Sequence, residues 1–278
     1  MIDFMSTQLI LAFSLTLIAG LSTGIGSAIA FFAKRTNYSF LCISMGFSAG
    51  VMVYVSFIEM MPSALEHFSH HATGKYPALW TTLSFFGGIA LIALIDRFVP
   101  KAENPHEMPK EEDLAMTQLA PHHKGNKIDK RILRVGLFTA LVLFIHNFPE
   151  GMVTFLSGLE DASVAIPIAV AIAIHNIPEG ISVSVPIYYA TGNKSYAFWI
   201  SFLSGLAEPV GAIIGYLILA PFINDVTYGI IFAAIAGIMV FISLDELLPA
   251  AEEYGKHHQA IYGLIIGMAV MALSLVLL

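Results

Sequence analysis

Two copies of one polar motif interrupt apolar stretches of this sequence. Residues 145–151 read IHNFPEG, and residues 174–180 read IHNIPEG. In each copy the histidine and the glutamate are four positions apart and therefore share one face of an α-helix, whereas the asparagine points about 100° around the axis. Imidazole with carboxylate suits Zn²⁺, Fe²⁺ and similar divalent cations, and amide oxygen with carboxylate suits harder ions such as Mn²⁺. The paired motifs therefore predict a metal-binding site.

A third acidic side chain, Glu208, stands before Pro209 in another apolar stretch. The candidate metal ligands are His146, Asn147, Glu150, His175, Asn176, Glu179 and Glu208. Their three carboxylates total −3, so that one divalent ion leaves −1 and two leave +1; either state costs less in a low dielectric than three bare anions. Two ions about 3.5–4 Å apart that share carboxylates would fit the usual two-metal geometry. A structural network of hydrogen bonds between helices is the alternative, which the second copy of the motif disfavours.

Each motif also contains a proline. Pro149 has no N–H to donate to Ile145, and Pro178 has none for Ile174. We expect both helices to be kinked or locally unwound, with freed carbonyls that must find water, a side chain or a cation. Broken helices of this kind carry the ion sites of many transporters.

The composition places these motifs in a membrane. Of 278 residues, 57% are apolar and only 12% are charged, about half the usual charged share. Mean hydropathy is +0.77. This excludes a disordered chain and an ordinary soluble globule, the single Cys42 excludes an intrachain disulfide, and the net charge of −7 disfavours nucleic acid. Because no ten-residue alternating pattern repeats, we predict an all-α polytopic membrane protein with inverted repeats and proline-broken central helices.

Eight apolar segments approach or exceed the length of about 20 residues that a membrane-crossing helix needs. They cover residues 7–33, 38–61, 78–96, 133–157, 164–188, 196–219, 228–250 and 260–278. We predict a single transmembrane domain over residues 1–278, with a first span that is retained rather than cleaved as a signal peptide. Residues 97–132 form a predicted cytoplasmic loop between spans three and four. Its histidines, which we interpret as scattered loop residues, are His106, His122 and His123.

The basic side chains determine the predicted orientation. If each predicted span crosses the membrane, successive loops lie on alternate sides. On this assignment 12 of the 13 Lys and Arg residues fall on one side, and only Lys75 falls on the other. The positive-inside rule makes the first side cytoplasmic. Both termini then lie outside the cell (inner) membrane or in the periplasm.

A longer and weaker repeat relates spans two and seven. Residues 49–66 and 236–253 share nine identical positions at a constant offset of 187, among them Glu59 with Glu246. The two spans run through the bilayer in opposite directions. Inverted repeats of this kind build the two alternating gates of secondary transporters around a central site.

With these motifs, the sequence resembles the ZIP (Zrt/Irt-like) family of metal-ion transporters, and the resemblance covers nearly the whole chain. It implies import of divalent metal into the cytosol, Zn²⁺ foremost and Fe²⁺, Mn²⁺, Co²⁺ and Cd²⁺ in addition, by a protein that forms homodimers in the lipid bilayer. It also implies a binuclear centre. The first ion would be held by Glu150, His175, Glu179 and His146, and the second by Asn147, Glu150, Asn176, Glu179 and Glu208. Metal is here the transported substrate and not a cofactor.

Three further acidic residues precede prolines at the ends of spans two and seven. They are Glu59, Asp245 and Glu246, which we interpret as transport-pathway residues. Glu59 would belong to an outer inlet that raises the local cation concentration, together with Glu66, His67, His70 and His71. Ordinary solvated helix ends are the alternative, which we favour for the pair His70-His71 but not for Glu59, Asp245 and Glu246.

Other functions stay open on the sequence alone. An intramembrane metallohydrolase would need an open coordination position and a general base, as in a His-Glu-x-x-His motif, which the sequence does not contain. A proton-coupled carrier of another substrate could use the His/Glu pairs as a relay, and a channel could use a static site. The sequence has no phosphate-binding Gly-x-x-x-x-Gly-Lys-Ser/Thr loop, so a nucleotide is not expected as a partner.

Overall fold

The structure, a computed structural model, describes residues 2–30, 38–98, 130–160, 162–254 and 257–277. Every regular element in these ranges is helical, which confirms the predicted all-α class. In span order the helices are Ile2–Ala30; Tyr38–Val55, Ser56–Met60 and Met61–Ser69; Tyr76–Phe98; Lys130–Glu160; Ala162–Thr191; Lys194–Gly205 and Ala207–Leu219, followed by the short Ala220–Phe222; Asp225–Ile242, Ser243–Leu247 and Leu248–Tyr254; and His257–Leu277. The loop histidines lie outside the described residues.

Seven of the described spans are long and apolar enough to cross a bilayer. Span four is not among those seven, but its helix has 31 residues, and a crossing needs about 20. His67, at the end of span two, lies 3.1 Å from Glu160 at the end of span four, and 3.6 Å from Asp225 at the start of span seven. These contacts place the end of span two, the end of span four and the start of span seven on the same side of the membrane. If span three crosses the membrane once, span four must cross it in the opposite direction to return to that side. This agrees with eight spans of alternating direction.

Span five lies in the interior of the bundle. Of its most apolar stretch, 72% is buried inside the protein, against 22% for spans three and eight. Spans three and eight instead expose large apolar side chains such as Leu83, Phe86 and Ile265. These side chains face lipid, which leaves the interior to the polar motifs.

The repeat between spans two and seven is also a structural repeat. Each span contains one π-helical turn, Ser56–Met60 in span two and Ser243–Leu247 in span seven, and the two turns are related by the offset of 187. Each turn is followed by a proline, Pro62 or Pro249, which cannot donate the next α-helical hydrogen bond. A π turn accommodates one additional residue within a helix. Glu59 and Glu246 therefore occupy equivalent positions in two equivalent distortions.

The packing partners of the two spans follow the same offset. A side chain at Gly50 of span two would collide with the backbone of Leu264 in span eight, and one at Gly237 of span seven would collide with the backbone of Phe85 in span three. Span two thus packs on span eight as span seven packs on span three.

The motif helices are helical throughout. Of the two expected outcomes at Pro149 and Pro178, a kink or local unwinding, unwinding is absent, because the helices Lys130–Glu160 and Ala162–Thr191 are continuous across both prolines. A proline removes one hydrogen bond and keeps a helical φ, so a helix that is packed on both sides of it can stay helical. The interrupted span is span six, whose two helices meet at Leu206, two residues before Glu208.

Two adjacent glycines of span three offer a test of this packing. A Cβ atom at Gly88 would meet the backbone of Ala234, whereas one at Gly87 has nothing within 4 Å. Gly88→Ala should lower the melting temperature of the purified protein by an overpacking cost of about 1–3 kcal/mol, measured by thermal unfolding in detergent. Gly87→Ala is the matched control and should leave the temperature equal or higher, because alanine favours helix by up to about 1 kcal/mol. Equal effects of the two variants would contradict the described contact.

Candidate metal centre

The predicted metal ligands lie in the interior between spans four, five and six. Each is at most 1% exposed: His146, Asn147, Glu150, His175, Asn176, Glu179 and Glu208. Both histidines face protein and not lipid. Their burial is compatible with a shared metal site, which stays a prediction for these residues.

Glu150 joins the two copies of the motif. Its Oε1 lies 3.3 Å from Nε2 of His146, one turn earlier in span four, and 3.3 Å from Nε2 of His175 in span five. Oε1 of Glu179 lies 3.7 Å and 3.9 Å from the same two nitrogens. The four side chains, two from each motif, therefore form one cluster, which we call the midplane cluster.

Two of the separations within the midplane cluster, both 3.3 Å, match those of neighbouring ligands in a zinc site, and the other two, 3.7 Å and 3.9 Å, are longer. Zinc bonds to nitrogen and oxygen are about 2.0–2.1 Å long, so that neighbouring ligand atoms of a tetrahedral site lie about 3.3 Å apart. The Nε2 atoms of His146 and His175 make no hydrogen bond, and neither do the four carboxylate oxygens of Glu150 and Glu179. Because an unsatisfied buried polar atom costs about 1–3 kcal/mol, a cation shared by these atoms would stabilise them. The donor set therefore fits a metal.

The two motif asparagines and Glu208 also carry buried oxygen atoms. The amide nitrogen of Asn147 donates to the carbonyl of Ser204 at 3.3 Å, and that of Asn176 donates to the carbonyl of Ala19 at 3.0 Å and to Oε1 of Glu208. Since the amide nitrogens face these acceptors, both asparagine Oδ1 atoms point elsewhere. These two atoms and Oε2 of Glu208 are buried without a hydrogen-bond partner. An oxygen-rich group of this kind suits the harder divalent cations.

Glycine contacts hold span six against span four at the site. A side chain at Gly151, the last residue of the first motif, would collide with the backbone of Glu208, and one at Gly211 would collide with the backbone of Phe148. The absence of these two side chains lets the helices approach until their backbones touch. This approach brings Glu208 next to the motif.

Span one makes the equivalent contacts with span five. A side chain at Gly180, the last residue of the second motif, would collide with the backbone of Thr23, and one at Gly26 would collide with the backbone of Ile177. Span one also accepts the hydrogen bond of Asn176. It therefore helps to build the site, although the sequence motifs gave it no role.

The signal for span one was present in the sequence as a third repeat. Residues 19–26 read AGLSTGIG and residues 204–211 read SGLAEPVG, with the same glycines and leucine at an offset of 185. Thr23 stands where span six has Glu208. Only three identical positions in a glycine-containing apolar helix made this repeat hard to distinguish from chance.

The predicted pathway residues belong to spans two and seven and not to the motif helices. Glu59 lines a cavity of about 290 Å³ near the end of span two. Asp245 is exposed and Glu246 is partly exposed in the π turn of span seven. Their role in transport stays a prediction.

Comparison with known proteins identifies the family. The profile described as ZIP zinc transporter matches residues 5–130 and 101–275. The chain belongs to the ZIP zinc transporter family. This confirms the resemblance based on the motifs, and because the family consists of transporters, it also confirms the prediction that this ZIP protein is not an enzyme.

Curated relatives cover almost the whole ZIP chain. It is 61% identical over 275 residues to a protein of Clostridium perfringens (97% of this chain and 96% of the relative) and 61% identical over 275 residues to one of Streptococcus mutans (98% and 99%). A protein of Lysinibacillus sphaericus is 56% identical over 275 residues (99% and 100%). All three are named "Zinc transporter ZupT".

The central carboxylate of the midplane cluster can be tested by thermal unfolding with Zn²⁺. A ligand that binds only the folded state stabilises it by about 2.7 kcal/mol at about 100 times its Kd. Glu150→Gln keeps the size of the side chain but removes the charge that both imidazoles face, so we expect it to lose most of the Zn²⁺-dependent rise in melting temperature. Glu252→Gln, which changes an exposed carboxylate, is the control. A full zinc-dependent rise in Glu150→Gln would contradict the assignment of the cluster.

Proposed function

We propose that this ZIP protein imports Zn²⁺ into the cytosol through the midplane cluster. The observation that carries the proposal is the convergence of His146, Glu150, His175 and Glu179 on one another in a buried site, within a chain whose curated relatives are named zinc transporters. Two imidazoles and two carboxylates match the ligand preference of Zn²⁺.

We further propose a binuclear centre. The unpartnered oxygens of Asn147, Asn176 and Glu208 supply a second, oxygen-rich group, and Glu150 and Glu179 would be shared with the midplane cluster. Two divalent ions would offset the three carboxylate charges. The mixed chemistry of the two groups supports Fe²⁺, Mn²⁺, Co²⁺ and Cd²⁺ as additional substrates.

The proposed setting is a single transmembrane domain in the cell (inner) membrane, with residues 97–132 in the cytosol and both termini outside. The distribution of the basic residues, 12 of 13 on one side, supports this orientation. We also propose a homodimer, in keeping with the family resemblance.

The glycine contacts support transport by alternating access. Many of the described glycines contact neighbouring spans where a Cβ atom would not fit. All of these contacts join spans of the same set, and there are two such sets. One set consists of spans one, four, five and six, and the other of spans two, three, seven and eight. Because the site is buried, an ion can reach it only when the protein rearranges. Movement of the first set, which carries the site, against the second would open the site to each side without breaking the close backbone contacts.

The proposal is tested by the uptake of radioactive Zn²⁺ into proteoliposomes that contain the purified protein. We expect saturable uptake by the wild type and a loss of at least about tenfold in His175→Ala, since ligand-shell changes commonly cost 10–100-fold in metal affinity. Tyr262→Phe, which changes an exposed ring on span eight, is the control. Absence of zinc uptake by the wild type would refute the proposal, and a proton-coupled carrier of another substrate would in addition show no zinc-dependent stabilisation.

The two glutamates in the π turns provide a separate prediction. Neutralising a carboxylate along the path of a cation weakens local attraction, so Glu59→Gln and Glu246→Gln, made singly, should each change the KM or kcat of zinc uptake in the same assay. Glu252→Gln again serves as the control. Unchanged kinetics in both variants would remove these residues from the pathway.

A further inference from the structure

A second cluster of metal-binding side chains lies where spans two and four end and span seven begins. Nδ1 of His67 is 3.6 Å from Oδ1 of Asp225, and Nδ1 of His70 is 3.4 Å from Oδ2 of the same carboxylate. His67, His70 and Asp225 each offer a ligand atom within 4.8 Å of the other two. His71 Nε2 approaches Asp225 to 3.2 Å. Two imidazoles with one carboxylate are a set found in zinc sites that keep an open fourth position.

His67 is oriented for ligation. It is only 6% exposed, and its ring stacks on Tyr228 with a centroid separation of 5.1 Å and an interplanar angle of 12°. Nε2 lies 3.1 Å from a carboxylate oxygen of Glu160. In the neutral ring that donates its Nε2–H to this carboxylate, Nδ1 carries the lone pair that a metal ion would bind. The Nδ1 atom is buried and makes no hydrogen bond. Histidines that bind a metal through one ring nitrogen usually donate a hydrogen bond from the other nitrogen to a carboxylate, a backbone carbonyl or water. Glu160 is placed to accept such a bond from His67.

The surroundings of the cluster allow exchange of an ion with solution. The side chains of His70 and Asp225 are 54% and 41% exposed. On its inner side the cluster borders the cavity of about 290 Å³, whose lining includes Glu59, Glu66 and Glu160. A cation at the cluster would therefore meet water on one side and an acidic cavity on the other.

The inverted repeat does not reproduce this cluster on the opposite side of the membrane. At the offset of 187, His70 corresponds to His257, but Asp225 corresponds to Tyr38, which has no carboxylate. His257 instead pairs with Glu252 at 2.6 Å. The repeat therefore does not place the same three ligands on the opposite face, and the arrangement is not a by-product of the repeat.

We propose that His67, His70 and Asp225 form a second divalent-cation site, which captures the transported ion before it passes through the acidic cavity to the midplane cluster. The proposal rests on the proposed zinc transport for the identity of the ion. On the predicted orientation this face is the outer one, from which imported metal arrives.

Metal counting separates this site from the midplane cluster. Purified full-length Glu150→Gln, dialysed against ZnCl₂ and subjected to elemental analysis, should retain Zn²⁺ at His67, His70 and Asp225, which we call the outer cluster. Adding His70→Ala or Asp225→Asn should remove this ion. His257→Ala is the matched control, because it changes the repeat counterpart of His70, which is similarly exposed and also paired with a carboxylate, and it should leave the count unchanged.

Uptake kinetics supply the second measurement. In proteoliposomes, His70→Ala and Asp225→Asn should raise the KM for Zn²⁺ about 10-fold or more with little change in kcat, because weaker capture affects binding and not the later steps. An unchanged zinc count together with an unchanged KM in both variants would overturn the capture site, even if the wild type transports zinc. If the wild type transports no zinc but the count still falls in His70→Ala, the site stands and the proposed transport fails.

Discussion

Burial of three carboxylates and two imidazoles inside a membrane bundle is the constraint on which the rest of the structure depends. Charged groups at this depth are costly unless they are paired or bind a cation. Glu150 faces two imidazoles at the same distance of 3.3 Å, and the asparagines hold their amide nitrogens on backbone carbonyls. Apart from Nδ1 of His146, the polar side-chain atoms of the site therefore either have a protein partner or are oxygen and nitrogen atoms that a divalent ion would satisfy.

This constraint explains the glycine distribution. Side chains can converge on one ion only if the helices that carry them approach closely, and Gly151 and Gly180 permit this at the end of each motif. The same type of contact joins the spans that do not carry the site, as at Gly88 and Gly237. Close backbone contacts hold each set of four spans together, whereas none of the described glycines makes such a contact across the boundary between the sets.

The sequence predicted the polar core better than the backbone around it. The spacing of His146 and Glu150 places them on one helix face. Because ionisable groups are costly in a membrane unless they are paired, they are expected to contact one another, so the cluster could be foreseen. The continuity of the helix at Pro149 could not, because it depends on the neighbouring spans that support the helix on both sides. The role of Thr23 and Gly26 was also hidden, since a glycine predicts a close contact but does not identify the partner.

The outer cluster was only partly foreseeable for a similar reason. His67 and His70 are three positions apart on span two, which indicates a shared face, but Asp225 is 155 positions from His70 in the chain. These residues lie on the same side of the membrane because four spans, an even number, separate the end of span two from the start of span seven. The packing of span seven on span two then brings them close enough to bind one ion.

The π turns have a consequence for how the length of this chain can vary. A π turn contains one residue more than the corresponding stretch of α-helix. The helix faces before and after it therefore keep their alignment with neighbouring helices in spite of the additional residue. Loss of one residue within Ser56–Met60 would convert the turn into regular α-helix and leave His67 facing Asp225. The same loss one turn further along, beyond Pro62, would rotate the histidines away by about 100°. One-residue deletions should therefore be tolerated better in these two short segments than in the α-helical turns that follow them.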